Sequence, residues 1–211
     1  MISPERAEFV YLASQSPRRA QLLSQLGVRH ELLLADSTED AETLETVKPG
    51  EAPAVYVKRV TALKLDAAVV RMIRRGLPMA PVLCSDTTVA LGRRIFGKPA
   101  STGEAQLMLA ALAGRPHRVL TAVAVQGVGE NGATGERYAA CSVSQVQFET
   151  MTAAQINAYV ATGEPMGKAG AYAVQGKAAA HIARISGSYS GIMGLPLYET
   201  AQLLRSAGLV V

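Results

Sequence analysis

Aromatic residues and cysteines are scarce in this chain of 211 residues. It contains no Trp, three Phe and two Cys. Cys84 and Cys141 lie in apolar stretches rather than in a CxxC pair, which excludes a disulfide framework and a Cys-rich zinc site, although one disulfide stays open. With so few aromatic rings, we expect a core of aliphatic side chains.

Long apolar runs are also missing. The longest, such as residues 119–125, are far shorter than the roughly 20 residues of a membrane-spanning helix. The first residues include Glu5, Arg6 and Glu8, which do not form the basic start and apolar stretch of a signal peptide. We therefore expect a cytoplasmic protein with reduced thiols and no membrane partner.

The fraction of charged residues and the net charge of the chain indicate which kinds of ligand it can bind. Charged residues make up 18% and hydrophobic residues 49%, which indicates a folded chain with a substantial core. The net charge of +4 favours anionic ligands. Nucleic acid is disfavoured because no basic stripe is interleaved with aromatic residues. The length suits one domain, which we assign to residues 1–211.

Hydrophobic periodicity predicts an α/β protein with a mixed sheet. A strand at 9–13 is followed by a helix that begins at Pro17, with Ser16 as the N-cap. Residues 54–75 predict a long helix, and 119–126 and 138–148 predict long antiparallel strands. The predicted buried face of the long helix consists of Tyr56, Val60, Leu63, Ala67 and Val70. Residues 36–50 are predicted to form an acidic, mobile loop, and 187–194 a glycine-rich loop.

The segment from Ser14 to Arg19 is the first candidate binding site. A helix N-terminus offers free backbone N–H groups and a positive dipole end. The hydroxyls of Ser14 and Ser16 and the guanidiniums of Arg18 and Arg19 add donors suited to phosphate oxygens. The alternative is a simple helix cap with two solvated arginines.

Asp86 is the second candidate because it interrupts an apolar strand. A buried carboxylate is unfavourable unless a metal ion, a catalytic water or a hydrogen bond compensates it. Glu39 is the natural partner carboxylate, although the acidic residues around it also fit a solvated loop. Lys64, Lys98 and Lys168 occupy unusual settings and could bind phosphate or be merely exposed.

Common catalytic motifs are absent: there is no P-loop, HExxH, GxSxG or dinucleotide-type GxGxxG. His30, His117 and His181 show no metal-ligand spacing. Glycine-rich segments at 170–176 and 187–194 fit either close approach to a ligand or plain turns. The remaining candidate functional residues are cations and a few carboxylates. This combination suits metal-assisted phosphoryl chemistry.

Several motifs resemble, in order, those of the Maf-like nucleoside triphosphate pyrophosphatases. The resemblance extends from about residue 10 to residue 207. It rests on the segment from Leu12 to Arg19, Asp86-Thr87-x-Val89, Gly97-Lys98-Pro99, Met108 to Gly114, His117 to Thr121, Gly163-Glu164-Pro165, Lys168 to Tyr172, Gln175-Gly176, Gly187-Ser188-Tyr189 and Gly194-Leu195-Pro196.

The resemblance implies an elongated mixed sheet flanked by helices, with two lobes around a cleft, similar to the inosine triphosphatase fold. It implies hydrolysis of a nucleoside triphosphate to the monophosphate and pyrophosphate with Mg²⁺ or Mn²⁺. Asp86 would be the general base, and Glu39 would hold metal or water with Asp86. The residues implied in phosphate binding are Arg18, Arg19, Lys64 and Lys98, and those linked to substrate choice are Arg18, Thr87 and Gln175.

The segment from Lys168 to Gly176 resembles the dTTP/UTP branch of the family. The expected activity is therefore hydrolysis of dTTP and UTP, with CTP or modified pyrimidine triphosphates left open. The alternatives are 7-methyl-GTP hydrolysis and a nucleotide-binding regulator of septum formation with little catalysis. The resemblance also implies a link to cell-division arrest, and a homodimer stays open. One departure is Gly167, where the family usually has Asp.

Overall fold

A mixed β-sheet forms the frame of the computed structural model, which describes residues 7–36, 39 and 43–211. Its seven strands have the order β2-β1-β3-β5-β6-β7, with β4 paired to β3. β1 is parallel to β2 and to β3, and the other pairs are antiparallel. The predicted α/β class with a mixed sheet is confirmed, whereas its division into two lobes stays a prediction.

The strands differ greatly in length. β2 has only three residues, whereas β5 and β6 extend beyond their predicted bounds because they form one long hairpin. The strands are β1 (Val10–Leu12), β2 (His30–Leu32), β3 (Val82–Leu91), β4 (Arg94–Phe96), β5 (Pro116–Val128), β6 (Thr134–Phe148) and β7 (Ile182–Ser186).

Helices pack on the sheet through apolar side chains. The helix α5 was not predicted, because it lies in the segment 187–194, which is rich in Gly and Ser. The helices are α1 (Pro17–Gln25), α2 (Pro53–Arg74), α3 (Thr102–Leu112), α4 (Ala153–Ala161), α5 (Tyr189–Met193) and α6 (Leu197–Ser206). No helix within the described ranges is long and apolar enough to cross a membrane.

The strand β3 contributes to cores on both faces of the sheet because its side chains alternate. Val82 and Cys84 pack with α2, whereas Leu83 packs with α1 and α6. By the same alternation, Asp86 lies on the α2 face and Ser85 on the opposite face. The thiols of Cys84 and Cys141 are free, so the one disulfide left open by the sequence does not form.

The predicted buried face of α2 is partly wrong. Tyr56 and Val60 are buried, but Leu63 and Val70 are exposed, Val70 by 63%. A 4-3-4-3 spacing drifts by only about 20° per seven residues, so the drift does not explain this; the predicted stripe runs along one edge of the face that is buried. The residues that continue the buried face are Leu65, Ala68, Val69 and Met72.

The start of α1 follows the prediction in position but not in every contact. Ser16 is the N-cap residue and Pro17 the first helical residue, yet the Ser16 side chain makes no capping hydrogen bond. Instead, the Ser14 hydroxyl accepts from the Ser16 backbone N–H. Of the predicted loop 36–50, residues 37–38 and 40–42 lie outside the described residues, and Thr43–Glu45 forms a 3₁₀ turn.

Candidate active site

One cleft of about 1080 Å³ collects the residues predicted from sequence. It lies between the start of α1, one side of α2, the middle of β3 and the segments 166–175 and 192–194. Its lining includes all ten predicted site residues: Ser14, Ser16, Arg18, Arg19, Glu39, Lys64, Asp86, Thr87, Lys98 and Gln175. The structure therefore brings these positions together, while their individual roles stay predictions.

Asp86 occupies the floor of the cleft at the centre of β3. It pairs with Ala122 of β5, and only 8% of the residue is exposed. The neighbouring Thr87 points to the other face of the sheet, where its hydroxyl lies 3.0 Å from the Thr121 hydroxyl. Pairing with β5 thus fixes the backbone that carries this largely buried carboxylate.

Lys64 joins Asp86 to a second carboxylate, that of Glu45. The Lys64 Nζ lies 2.5 Å from Asp86 Oδ1 and 2.7 Å from Glu45 Oε1. Burial lowers the pKa of Lys64, but the two carboxylates outweigh it, so the pKa is raised overall. Lys98 Nζ lies 3.1 Å from both Glu45 oxygens. Burial raises the pKa of Glu45, but Lys64 and Lys98 have the larger effect, so the pKa is lowered overall. Glu45 and Lys64 therefore both remain charged.

Glu39 lines the cleft but is held by arginines of α2. Arg71 Nη2 lies 2.6 Å from Glu39 Oε2, and Arg74 Nη2 lies 3.0 Å from Oε1. Arg71 also donates to the Leu33 carbonyl at 2.8 Å. The hydrogen bonds from Arg71 lower the pKa of Glu39. Both oxygens of this carboxylate are therefore engaged, although each retains further lone pairs that can accept.

Arg19 on the opposite side of the cleft is bound by neutral oxygens. Its Nε donates to the Gly194 carbonyl at 2.8 Å, and its Nη1 donates to the Ser14 hydroxyl at 3.0 Å. Burial lowers the pKa of Arg19, and Asp86 partly offsets the effect. Arg18 Nε donates to the Met193 carbonyl at 3.3 Å. Both guanidiniums are thereby oriented, and a guanidinium stays charged at neutral pH.

Gly194 brings its carbonyl to Arg19 because no side chain stands in the way. Its φ is +123°, a region that favours glycine, and an added Cβ would lie 3.4 Å from the Arg19 Nε. The Ser85 hydroxyl lies 2.9 Å from both the Gly194 and the Ala122 carbonyls. Thr121 donates to the Gly191 carbonyl at 2.7 Å. The sheet thus anchors the turn that orients the arginines.

Gln175 borders the cleft from a tight loop. The side chain is exposed, and it makes no hydrogen bond to the part of the chain that the structure describes. At the base of the loop, the Tyr172 hydroxyl lies 2.9 Å from His117 Nε2. Burial lowers the pKa of His117 to about 4, so the ring is neutral at pH 7. These contacts support the loop while leaving the Gln175 amide available to a ligand.

Lys168 reaches the same cleft. Its Nζ donates to the Glu164 carbonyl at 2.5 Å, and burial together with the nearby Arg18 lowers the pKa of Lys168. Gly167, which replaces the family's usual Asp, has a φ of +71°. Gly adopts this left-handed conformation most readily, but Asp tolerates it. Gly167 and the family's usual Asp can therefore both adopt the backbone conformation found here.

Sequence reasoning missed two charged residues of the cleft. Arg71 follows Lys64 by seven residues, so the two share one side of α2, and this spacing could have revealed it. Glu45 was treated only as part of a solvated acidic loop. Nothing in its local spacing indicates a contact with Lys64, which lies 19 positions away. Among the described residues, no group of three or more His, Cys, Asp or Glu could hold a metal ion.

Comparisons with known proteins extend the resemblance over nearly the whole chain. The family model described as Maf-like protein matches residues 9–207. A protein of Albidiferax ferrireducens is 64% identical over 97% of this chain and 100% of its own length. A protein of Polaromonas sp. is 65% identical, over 97% and 98% respectively, and one of Cupriavidus metallidurans is 62% identical, over 95% and 97%. All three are named dTTP/UTP pyrophosphatase.

Proposed function

Because the chain belongs to the Maf-like protein family, we propose that it is a nucleoside triphosphate pyrophosphatase that hydrolyses dTTP and UTP. The products are the nucleoside monophosphate and pyrophosphate. The observation that carries this proposal is the identity of at least 62% to three dTTP/UTP pyrophosphatases over nearly all of both chains. The cleft supports it independently, because it combines cationic side chains with a buried carboxylate.

Asp86 serves as the general base in this proposal. Water attacks the α-phosphorus, the bond to the bridging oxygen of the β-phosphate breaks, and pyrophosphate leaves. Asp86 accepts a proton from the attacking water, as a positioned carboxylate can do. Lys64, at 2.5 Å, holds the carboxylate in place and supplies positive charge beside it.

The triphosphate binds between two groups of donors. Ser14, Ser16, Arg18 and Arg19 surround the N-terminus of α1, where the positive end of the helix dipole also favours an anion. Lys64 and Lys98 approach from the other side of the cleft. Charged groups from several segments can therefore contact different phosphates of the same triphosphate. These contacts align the α-phosphorus with Asp86.

We propose that Asp86 and Glu39 hold a divalent cation, Mg²⁺ or Mn²⁺. Carboxylate oxygens suit both ions, and Mg²⁺ is often held by one or two carboxylates together with substrate phosphates and water. The two residues line the same cleft and would supply one or two oxygen ligands of such an ion, with phosphate and water oxygens completing the set. When bound, the ion would offset phosphate charge and orient water.

Gln175 reads the base, and Thr87 and Arg18 shape the pocket. A side-chain amide offers both a donor and an acceptor, which match the O4 and N3–H edge of uracil or thymine. The exposed position of Gln175 and its freedom from hydrogen bonds within the described residues support this role. The alternative is that Gln175 only stabilises its own loop, but no hydrogen bond among the described residues supports it.

A substrate panel tests the proposed function. Purified protein is assayed for pyrophosphate release from dTTP, UTP, CTP, ATP and 7-methyl-GTP, with Mg²⁺, Mn²⁺ or neither. We expect dTTP and UTP to be the best substrates and turnover to require a divalent ion. Preference for 7-methyl-GTP would contradict the branch assignment. Tight nucleotide binding without turnover would instead identify a nucleotide-binding regulator.

Three further properties remain proposals. The first is that residues 1–211 form a single domain, the second a cytoplasmic location, and the third a link between this activity and arrest of cell division. The last is tested by overproducing the protein and its Asp86→Asn variant in the same cells. If nucleotide hydrolysis causes the arrest, only the unaltered protein blocks septum formation.

A further inference from the structure

The carboxylate of Glu45 lies where the proposed function requires phosphate oxygens. Two ammonium groups contact it: Lys64 Nζ lies 2.7 Å from Oε1, and Lys98 Nζ lies 3.1 Å from both oxygens. Lys64 and Lys98 are the cations assigned above to the triphosphate. An anion held between two ammonium groups has the surroundings of a bound phosphate oxygen.

The helix α2 fixes the segment that presents Glu45. The buried Tyr56 donates its hydroxyl proton to the Glu45 carbonyl at 2.9 Å, and Arg59 donates to the Thr46 carbonyl at 2.9 Å. Arg59 also holds Glu51 with two hydrogen bonds, at 2.7 and 2.8 Å. These contacts place the Glu45 carboxylate over the lysines by a built arrangement rather than by a single surface ion pair.

We propose that Glu45 is an internal competitor for the phosphate site, displaced when a triphosphate binds. Lys64 and Lys98 cannot keep their contacts with Glu45 and direct the same N–H groups to phosphate oxygens, so binding exchanges one anion for the other. This inference rests on the proposed function, because it uses the same two lysines as phosphate ligands.

The exchange gives the site a preference among phosphate-containing ligands. A triphosphate reaches both the lysines and the arginines at the start of α1, and these contacts together outweigh Glu45. Pyrophosphate is shorter and has no nucleoside to hold it, so Glu45 competes with it more successfully. Glu45 therefore favours retention of the substrate over retention of the pyrophosphate product.

The test uses Glu45→Gln, which keeps the size of the side chain but removes its charge. Calorimetric titration with inorganic pyrophosphate is performed without metal or nucleotide. We expect the variant to bind pyrophosphate about three- to tenfold more tightly, since it removes a partly exposed competing anion. The KM for dTTP falls by a smaller factor, because the triphosphate also contacts the arginines at the start of α1; kcat does not fall, and inhibition by pyrophosphate strengthens.

Two further variants control for charge and folding. Glu149→Gln makes the same charge change at an exposed position directly after β6 and is expected to leave pyrophosphate binding unchanged. Tyr56→Phe removes only the hydroxyl that holds the Glu45 backbone, so it shifts binding in the same direction as Glu45→Gln but by less. Thermal unfolding of each variant shows that the fold is retained.

Unchanged or weaker pyrophosphate binding in Glu45→Gln would overturn the proposal, and so would a large fall in kcat, which would place Glu45 in the catalytic machinery. The binding measurement needs no turnover. Tighter pyrophosphate binding in a protein that does not hydrolyse dTTP or UTP would support the exchange at the lysines while refuting the proposed function. Normal hydrolysis of dTTP and UTP together with unchanged pyrophosphate binding in Glu45→Gln would support the proposed function and refute the exchange.

Discussion

The two walls of the cleft hold their cations in different ways. On the carboxylate wall, formed by α2, β3, Glu39 and residues 43–45, Lys64 and Arg71 are paired with acidic side chains. On the carbonyl wall, formed by the start of α1 and residues 164–168 and 191–194, Arg18, Arg19 and Lys168 donate to backbone carbonyls. Acidic side chains neutralise the cations of the carboxylate wall, whereas backbone carbonyls only orient the cations of the carbonyl wall.

This difference separates two tasks of the proposed reaction. A carbonyl directs a guanidinium without cancelling its charge, so the carbonyl wall keeps positive charge available for phosphates. The carboxylate wall combines anions with cations, which suits proton transfer and the binding of a divalent ion. We therefore expect substitutions on the carboxylate wall to affect chemistry most, and those on the carbonyl wall to affect substrate binding and transition-state charge.

The largest effect is expected for Asp86→Asn on the carboxylate wall. The variant keeps the shape of the side chain but removes its basicity, and loss of a general base typically lowers the rate by about 10²–10⁴-fold. Pyrophosphate release from dTTP measures the change. Asp66→Asn, at an exposed position of α2, is the matched control. Near-normal turnover in Asp86→Asn, or a loss explained entirely by unfolding, would remove Asp86 from the chemistry.

A smaller loss is expected for Arg19→Ala on the carbonyl wall. A hydrogen bond to a charged group contributes about 1.5–3 kcal/mol, so kcat/KM falls by about 10- to 150-fold. Since phosphates are common to all substrates, dTTP and UTP lose activity equally. Arg205→Ala is the control, because Arg205 is an exposed arginine of α6 outside the cleft. A loss confined to one base would contradict a phosphate role.

A further test on the carboxylate wall is Glu39→Gln, which distinguishes a metal-binding residue from a partner of Arg71 only. We expect Mn²⁺ affinity to fall about tenfold, the lower end of the range for groups that support a metal site. Electron paramagnetic resonance of free Mn²⁺ measures this without substrate. Unchanged Mn²⁺ affinity combined with a lower melting temperature would limit Glu39 to holding Arg71.

The smallest effect is expected for Gln175→Glu at the edge of the carbonyl wall. Replacing an amide donor by a carboxylate mismatches one hydrogen bond to the base, so the ratio of dTTP to CTP hydrolysis changes by about three- to tenfold. The melting temperature changes little because the side chain is exposed. Gln145→Glu, an exposed position on β6, is the control. A constant ratio with lost stability would make Gln175 structural.

Local patterns predicted much of the fold. The strand, loop and helix at the N-terminus, the long α2 and the β5–β6 hairpin follow from hydrophobic periodicity, caps and turn residues, all of which act over a few positions. Asp86 stood out because a carboxylate in an apolar strand requires a partner. The family resemblance supplied Thr87 and Gln175, which have no distinctive local signal of their own.

Local patterns failed wherever distant segments meet. The rotation of α2 was predicted from its own spacing, yet the way the helix packs on the sheet leaves Leu63 and Val70 exposed. The short α5 lies in a segment rich in Gly and Ser, and its position depends on contacts with the sheet, such as the hydrogen bond from Thr121 to the Gly191 carbonyl.

The amino-acid sequence was sufficient to establish the α/β class, the family and the ten residues that meet in one cleft, because these depend on local patterns and on motif order. Which charges pair there was settled by folding alone. Glu45 meets Lys98 across 53 positions, and Glu39 meets Arg71 across 32. An ion pair depends on the distance between two charges in space, and the tertiary packing of the segments that carry them sets that distance.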